Sequence, residues 1–392
     1  MKKDTKVVHA GHNKKRNAGA VNTPVVHAST IIFDRMADLR EVERKAAAGE
    51  RVMSYGRRGT PTHWTLQEAF TELAGGAETV LVPSGLCAGT TVILACVKAG
   101  DHILASDSIY GPTRDFCTGF MARFGVETTF YDPLIGGGIA GLMKPNTTLV
   151  LCESPGSLTF EVQDVPAIAA AAKKQNAVVA IDNTWATPLY CQPLKLGADL
   201  IIEAATKYIV GHSDAMMGAI TGTAEAIECV KKTNGALGLS VAPDDVYLAT
   251  RGLRTLGARL ERHQASALKI ARWLQTRPEI KRVLYPALPG DPGYALWKRD
   301  FSGASGLLGM VFKETSQAAV EAMLEGMDFF ALGYSWGGFE SLIAPLDPKR
   351  TAVPWREPSP GIRIHVGLED VDDLIEDLDK GLGRFRRALG AS

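Results

Sequence analysis

The sequence predicts an α/β fold: a mostly parallel central sheet with helices on both faces, followed by a smaller C-terminal α/β unit. Three observations carry that reading. Between about residues 61 and 254, short apolar runs bounded by Gly, Pro and Asp alternate with helical stretches. The runs are continuous rather than alternating and rich in β-branched and other apolar residues, as strands buried on both faces are. The last part of the chain repeats the strand-and-helix pattern, and strand–helix alternation argues a parallel sheet covered on both sides. At 392 residues the chain also exceeds the size at which one hydrophobic core stops growing, roughly 250–300 residues. We therefore divide it into an arm (1–60), a central unit (61–254) and a C-terminal unit (255–392).

Taken in order, residues 1–60 lack sustained periodicity, with extended pieces from Val21 to Ile32 and one charged helix from Asp34 to Gly49. Such an arm is expected to drape over a partner subunit. The central unit offers strands at 78–83, 102–106, 147–153, 177–182 and 198–206, with helices such as Thr65–Ala74 and Gly85–Lys98 between them. Asp244 to Gln275 reads as one long helix, with Val246, Leu253, Leu256, Leu260, Ala267, Ile270 and Leu274 in a stripe that joins the units. Beyond it, 306–312 and 361–368 read as strands. The segment VDDLIEDLDKGLGRFRRAL closes the chain as a helix with acidic residues at its start, where the helix dipole favours them.

Composition removes several function classes. Lys+Arg and Asp+Glu number 43 each, so no net field draws the chain to nucleic acid or an anionic membrane. The six cysteines form no CxxC pair and no zinc-ligand spacing, and most sit in apolar strings such as ILACV and LVLCE, which fits a reducing compartment. The N-terminal MKKDTKVVHAGHNKKR has no apolar core of a secretory signal, and no window reaches about 18 uninterrupted apolar residues. A cytoplasmic protein is expected.

Lys207 lies just past the run DLIIEAAT, where open α/β sheets bind their ligands. A lysine there either pairs with a carboxylate or is kept for its amine, since a desolvated amine of lowered pKa is the usual Schiff-base nucleophile. Asp182 ends AVVAID at the same sheet edge. It either holds a pyridinium N–H of a cofactor or serves as a turn or cap residue. Ser84, Gly85 and Leu86 join a strand to a small-residue helix and make a plausible anion cradle, although tight turns need Gly anyway. Thr206 could add a hydroxyl, and Tyr110 in DSIYGPT either stacks on a planar ligand or packs. Arg363 sits among apolar neighbours in GIRIHV and needs an anion. That anion is a substrate carboxylate gripped by both arms of the fork or a structural Asp or Glu. Tyr334-Ser335-Trp336-Gly337-Gly338 either shapes a pocket wall or packs as a surface loop. Lysine, aspartate, Gly-containing turn, tyrosine and arginine together are the set that a pyridoxal 5′-phosphate (PLP) site requires.

With those residues in place, the sequence resembles the cystathionine-type PLP enzymes of cysteine and methionine metabolism, from about Thr5 to the C-terminal helix. The strings TKVVHAG, YGRRGTPTHWTLQEAF, PSGLCAG, DSIYGPTRDF, ESPGS, IDNTWATP, ATKYIVGHSDAMMG, RGLRTLGARL and ESLI carry the resemblance. YSWGGFESLI, RRGTPTHWTLQ, YDPLIG and HVGLEDVDDLIEDL favour its bacterial β-lyase branch. The resemblance implies the type I PLP fold and a homotetramer built of two tight dimers. It implies that Lys207 binds the cofactor and acts as the base, that Asp182 holds the ring nitrogen, and that Tyr110 stacks on the ring. Gly85, Leu86 and Thr206 would meet the phosphate. Tyr55 and Arg57 would reach the phosphate of the neighbouring subunit's cofactor, with Tyr55 also at its substrate. Arg363, the Ser335 backbone and Trp336 would receive the substrate, its α-carboxylate on Arg363.

Two strings depart from the broader family. ESPGSL places Ser157 where an Asn near the cofactor's phenolic oxygen is usual, and Ser335-Trp336-Gly337-Gly338 replaces SLGG. Both departures fit the β-lyase branch. Pro112 stands where a methionine γ-lyase would carry Cys. The implied reaction is α,β-elimination of L-cystathionine in trans-sulfuration toward methionine, with alanine racemisation as a side activity. The alternatives are γ-elimination or γ-replacement on the same scaffold, and a catalytically silent PLP-fold protein. A small amino-acid thioether is the expected partner, with neither nucleic acid nor membrane.

Overall fold

Every apolar run of the central unit forms a strand in the computed structural model, which describes residues 1–390. Among the described residues, a seven-stranded sheet contains β1 (Glu78–Val82), β2 (His102–Ser106), β3 (Glu127–Tyr131), β4 (Thr147–Glu153), β5 (Val178–Asp182), β6 (Leu200–Glu203) and β7 (Gly218–Gly222), in the order β1-β7-β6-β5-β4-β2-β3. β7 pairs antiparallel with both β1 and β6, and the other pairings are parallel. The sheet is therefore mostly parallel, with β7 running against the rest. β3 and β7 escape the sequence reading for different reasons. β3 is a half-exposed edge strand that starts on an exposed Glu127. β7 is GAITG, fully buried but carrying two glycines, residues depleted in strands.

Successive residues of the central strands are buried in alternate cores, as a sheet covered on both faces demands. Ile103 and Ala105 enter one core with Val92 and Ile93 of helix Gly85–Cys96, while Leu104 enters the other with Val165 and Ile168 of helix Val165–Lys173. Leu149 and Leu151 likewise oppose Val150 and Cys152. Cys117, Cys152 and Cys191 are buried, and no cysteine is disulfide-bonded among the described residues.

Two expectations need correction. The arm, expected to drape over a partner subunit, packs its first stretch against its own chain. Helix Lys3–His9 buries Val7, and Val7 and Ala10 join Leu66, Ala69 and Leu253 in one apolar cluster. Arg254 Nη1 donates to the carbonyls of both Val7 and Ala10, at 3.2 and 2.8 Å. A helix of seven residues, about two turns, is too short for periodicity to reveal it. Further along, Val21, Ile32 and Met36 are exposed. The long helix 244–275 is two helices, Pro243–Arg254 and Leu256–Gln275, broken at Thr255. Gly252 packs on the 209–210 backbone so closely that a Cβ there would lie 2.2 Å from the Val210 carbonyl oxygen. The guanidinium of Arg259 caps the break by donating to Gly252 O at 2.8 Å. The apolar stripe runs through the break, so periodicity alone could not show it.

The C-terminal part forms a second sheet of β8 (Ile280–Leu284), β9 (Leu307–Phe312), β10 (Ala331–Leu332), β11 (Leu342–Leu346) and β12 (Gly361–His365), in the order β10-β11-β12-β9-β8. Helices Leu256–Gln275, Gln317–Leu324 and Val371–Gly390 supply Leu274, Val320, Leu378 and Phe385 to its core. A strap from this part crosses to the large sheet, where the Asp107 carboxylate accepts from the backbone N–H groups of Thr351, Ala352 and Val353. That clasp sits beside the edge where the functional residues gather.

Candidate active site

The functional residues converge because the strands that run in one direction all end at one edge. β1 is followed by Ser84–Leu86, β2 by Tyr110, and β6 by Lys207, while β4 ends on Glu153 and β5 on Asp182. A cavity of about 540 Å³ lies over that edge, closed from the other side by Ser335, Trp336 and Arg363.

Lys207 is mostly buried. Its Nζ donates to Ser335 Oγ at 2.6 Å and lies 5.4 Å from the centre of the Trp336 ring. Burial, with the positive Arg363 nearby, lowers its pKa to about 8, and the Asp182 charge opposes that shift. An amine so placed is neutral for a large fraction of the time near pH 8, which is what a nucleophile or base needs.

Asp182 Oδ1 accepts from Thr184 N at 2.9 Å, so the carboxylate does make the local turn contact that its position suggested. It also lines the cavity. Burial raises its pKa, and the Thr184 contacts and Lys207 pull it back. Two more buried carboxyls surround it. Glu153, in register with Asp182 on the neighbouring strand, accepts from Tyr110 N at 2.7 Å. Glu203 has no hydrogen-bond partner on either oxygen among the described residues. Burial, and then repulsion from Asp182, push both well above the ordinary carboxylate range. Of the three, Asp182 is the one that Lys207 helps to keep ionised. A cationic ring N–H brought to it would extend that effect.

Ser84, Gly85 and Leu86 join β1 to a helix, as the sequence suggests. Ser84 Oγ caps helix Gly85–Cys96 by accepting from Cys87 N at 3.0 Å, which leaves the first-turn N–H groups of Gly85 and Leu86 at the cavity. A Cβ on Gly85 would lie 2.4 Å from Ala204 Cβ. Only glycine lets this helix start so close to the segment leading into Lys207. The Thr206 hydroxyl is tied to the Met217 backbone, accepting its N–H at 3.0 Å and donating to its carbonyl at 3.2 Å. Free N–H groups can donate to a phosphate, a carboxylate can accept from a ring N–H, and a buried amine of lowered pKa can attack an aldehyde. The residues present therefore fit PLP. Tyr110 stands at the mouth, 45% exposed, so its ring is free to lie against a planar ligand.

Arg363, on β12, donates through Nη2 to the carbonyls of Ser335 (3.1 Å) and Gly333 (3.3 Å). Its Nε has no partner, and no carboxylate pairs with it among the described residues. The structural-pair alternative therefore finds no Asp or Glu here. Tyr55 and Arg57 lie elsewhere and are exposed; Arg57 lines a groove of about 430 Å³ with Lys231 and His63, and its Nη1 donates to Gly235 O at 3.4 Å. Within one chain they do not join Lys207. Two members of the site, and one carboxyl beside it, were not identified from sequence. Glu153 had a signal, a charged residue closing an apolar run as Asp182 does. Glu203 had a weaker one, inside the run. The Ser335 hydroxyl had none, because its approach depends on a left-handed backbone, φ +75°, that only the fold displays.

Three comparisons place the chain among known proteins. The family model described as Cys/Met metabolism PLP-dependent enzyme matches residues 4–383. The chain is 46% identical over 392 residues to the cystathionine β-lyase of Escherichia coli, covering 98% of this chain and 99% of that one. It is 45% identical over 392 residues to the cystathionine β-lyase of Salmonella typhimurium, with 97% and 98% covered. Its backbone superposes on a cystathionine γ-synthase from Xanthomonas oryzae pv. oryzae, solved in complex with cystathionine, with a TM-score of 0.90 and 32% identity over 99% of both chains.

Proposed function

Because the chain belongs to the Cys/Met metabolism PLP-dependent enzyme family, we propose that it cleaves the Cβ–S bond of L-cystathionine by α,β-elimination. The products are homocysteine, pyruvate and ammonia, a step of trans-sulfuration toward methionine. The observation that carries the chemistry is Lys207: a buried amine, lowered to about 8, set between Asp182 and Arg363 at the strand edge. The resemblance to two proteins named cystathionine β-lyase supports the substrate.

The cofactor is pyridoxal 5′-phosphate. When bound, it supplies the electron sink that lets the substrate's Cα–H bond ionise. Lys207 would hold its aldehyde carbon, Asp182 its ring nitrogen, the Gly85 and Leu86 N–H groups and Thr206 its phosphate, and Tyr110 the face of its ring. The remaining work belongs to side chains acting on substrate. Arg363 grips the α-carboxylate with the guanidinium atoms that have no protein partner. Lys207, once free, takes the Cα proton at Nζ. Electrons from the broken Cα–H bond form a Cα–Cβ double bond as the Cβ–S bond breaks, and sulfur leaves as homocysteine thiolate. The remaining aminoacrylate takes up water and yields pyruvate and ammonia. Trp336 walls the substrate side of the cavity.

Tyr55 and Arg57 are assigned to a neighbouring subunit's site. The working assembly in this reading is a homotetramer of two tight dimers in the cytoplasm, with neither nucleic acid nor membrane as partner. No helix among the described residues is long and apolar enough to cross a membrane. The test is product identification with L-cystathionine. Pyruvate with homocysteine supports β-elimination, whereas 2-oxobutyrate with cysteine overturns it in favour of γ-elimination.

A further inference from the structure

The strap that joins β11 to β12 meets two walls of the Lys207 cavity with consecutive residues. Thr351, Ala352 and Val353 donate their N–H groups to the Asp107 carboxylate, at 3.0, 2.9 and 3.0 Å. Asp107 opens the turn that carries Tyr110, and Arg114 closes that turn by donating to the Asp107 carbonyl at 2.9 Å and to its carboxylate. One residue earlier in the strap, the Arg350 guanidinium donates through Nη2 to both Thr159 Oγ1 and Glu161 Oε1. Thr159 and Glu161 belong to the loop 156–161, whose Gly156, Ser157, Leu158 and Phe160 line the cavity.

That loop has a conformation that needs support. Leu158 and Phe160 have φ +65° and +60°, left-handed values that bulky side chains rarely adopt and that persist only where neighbours enforce them. Ser157 N donates to Ser108 O at 2.8 Å, and a Cβ on Gly156 would lie 2.3 Å from Ser108 Oγ, so the loop leans on the Tyr110 turn. The contacts therefore close a ring. Ser108 holds Ser157, Arg350 holds Thr159 and Glu161, and Thr351 returns to Asp107. Each of the three segments is fastened to the other two.

We propose that Asp107 and Arg350 are positioning residues of a single latch, in which strap residues 350–353 hold the Tyr110 turn and the 156–161 loop at the spacing that receives substrate. Both act through the walls, since neither lines the cavity. The closed ring couples them. Releasing Thr351 from Asp107 frees the backbone from which Arg350 reaches, and removing the Arg350 guanidinium lets the strained loop relax away from Ser108. The consequence for turnover rests on the function proposed above. The order of the two walls does not.

Three variants of the holoenzyme test the latch. Asp107→Asn keeps the size of the side chain but turns one accepting oxygen into a donor among converging N–H groups. Arg350→Met keeps an apolar stem and removes the guanidinium. Amide exchange read by mass spectrometry should rise about tenfold at both 107–114 and 156–161 in either variant. No rise, or a rise only in the wall whose own contact was cut, overturns the proposal. Because one nitrogen of Arg350 serves both acceptors, the ammonium of Arg350→Lys should return exchange to within about threefold of wild type; exchange as high as in Arg350→Met overturns it. KM for cystathionine should rise about tenfold in each of Asp107→Asn and Arg350→Met, with kcat changed less, and about tenfold again in the double variant. A rise of about a hundredfold in the double variant means two independent contacts and overturns the single latch. If cystathionine is not turned over at all, the function is wrong and the exchange readout still decides the latch. If Asp107→Asn does not fold, exchange at 107–114 in Arg350→Met decides it.

Discussion

Lys207 Nζ donates to Ser335 Oγ across 2.6 Å, tying the residue just past β6 to a left-handed position on a loop of the other sheet. The contact gives the amine a fixed direction, and a charged donor makes it one of the stronger hydrogen bonds in the cavity. Such a bond contributes about 1.5–3 kcal/mol. Ser335→Ala should therefore lower kcat/KM by about ten- to a hundredfold while the absorbance spectrum of bound cofactor persists. Unchanged kcat/KM would show that the contact belongs to the resting site alone.

Lys207→Ala should purify without the visible absorbance of a covalently held cofactor. Borohydride reduction of the wild type, followed by peptide mapping, should place the label on the peptide that contains Lys207. Labelling at another lysine refutes the assignment of the site.

Arg363→Ala should act twice. Loss of a charge-assisted contact to the substrate carboxylate should raise KM about ten- to a hundredfold. The second effect concerns Lys207. Arg363 is one of the causes that hold the lysine near 8, and a positive neighbour disfavours the protonated amine. Removing it should move the apoenzyme's Lys207 titration upward, read from the pH dependence of amine modification. A midpoint that stays or falls would mean that the two charges do not communicate.

Glu203 has no partner on either oxygen, and its pKa lies well above the ordinary range because of burial and Asp182. A carboxyl raised in the folded state keeps its proton there and loses it on unfolding at neutral pH. Its contribution to stability therefore falls as pH rises above the unfolded value of about 4.3. Glu203→Gln removes that loss, so the variant should gain several degrees in Tm relative to wild type at pH 8 and little at pH 4.5. An equal difference at both pH values would place the cause in packing.

The strands that are buried on both faces were legible because β-branched runs such as AVVAID leave little else to form, and the residues ending them inherit the ligand edge. Lys207, Asp182 and the Gly85 turn follow from that logic. What escaped depends on contacts distant in sequence. β7 is a strand because β1 and β6 flank it, despite its glycines. The break at Thr255 depends on Arg259 and on the backbone at 209–210. Ser335 meets Lys207 across the two sheets, a pairing that no local spacing encodes.

The last prediction concerns Tyr55 and Arg57. Within one chain both are exposed, neither lines the cavity of Lys207, and Arg57 lines a different groove. Arg57 makes one long contact, to Gly235 O at 3.4 Å, so its planar fork remains available to grip two phosphate oxygens of another subunit. If the arm serves a neighbour, each site draws its lysine from one chain and its arginine from another. Arg57→Ala and Lys207→Ala should each be nearly inactive alone. When the two are mixed under conditions that let subunits exchange, a mixed dimer has one site with both defects and one with neither. Up to about a quarter of wild-type activity should return, since half of the dimers are mixed at random pairing and half of their sites are intact. The figure follows from binomial pairing in a closed twofold dimer. Exchange must be verified by native mass spectrometry of the mixture. With mixed dimers present, activity no higher than that of either parent would return Arg57 to its own subunit's site or place it outside the site altogether.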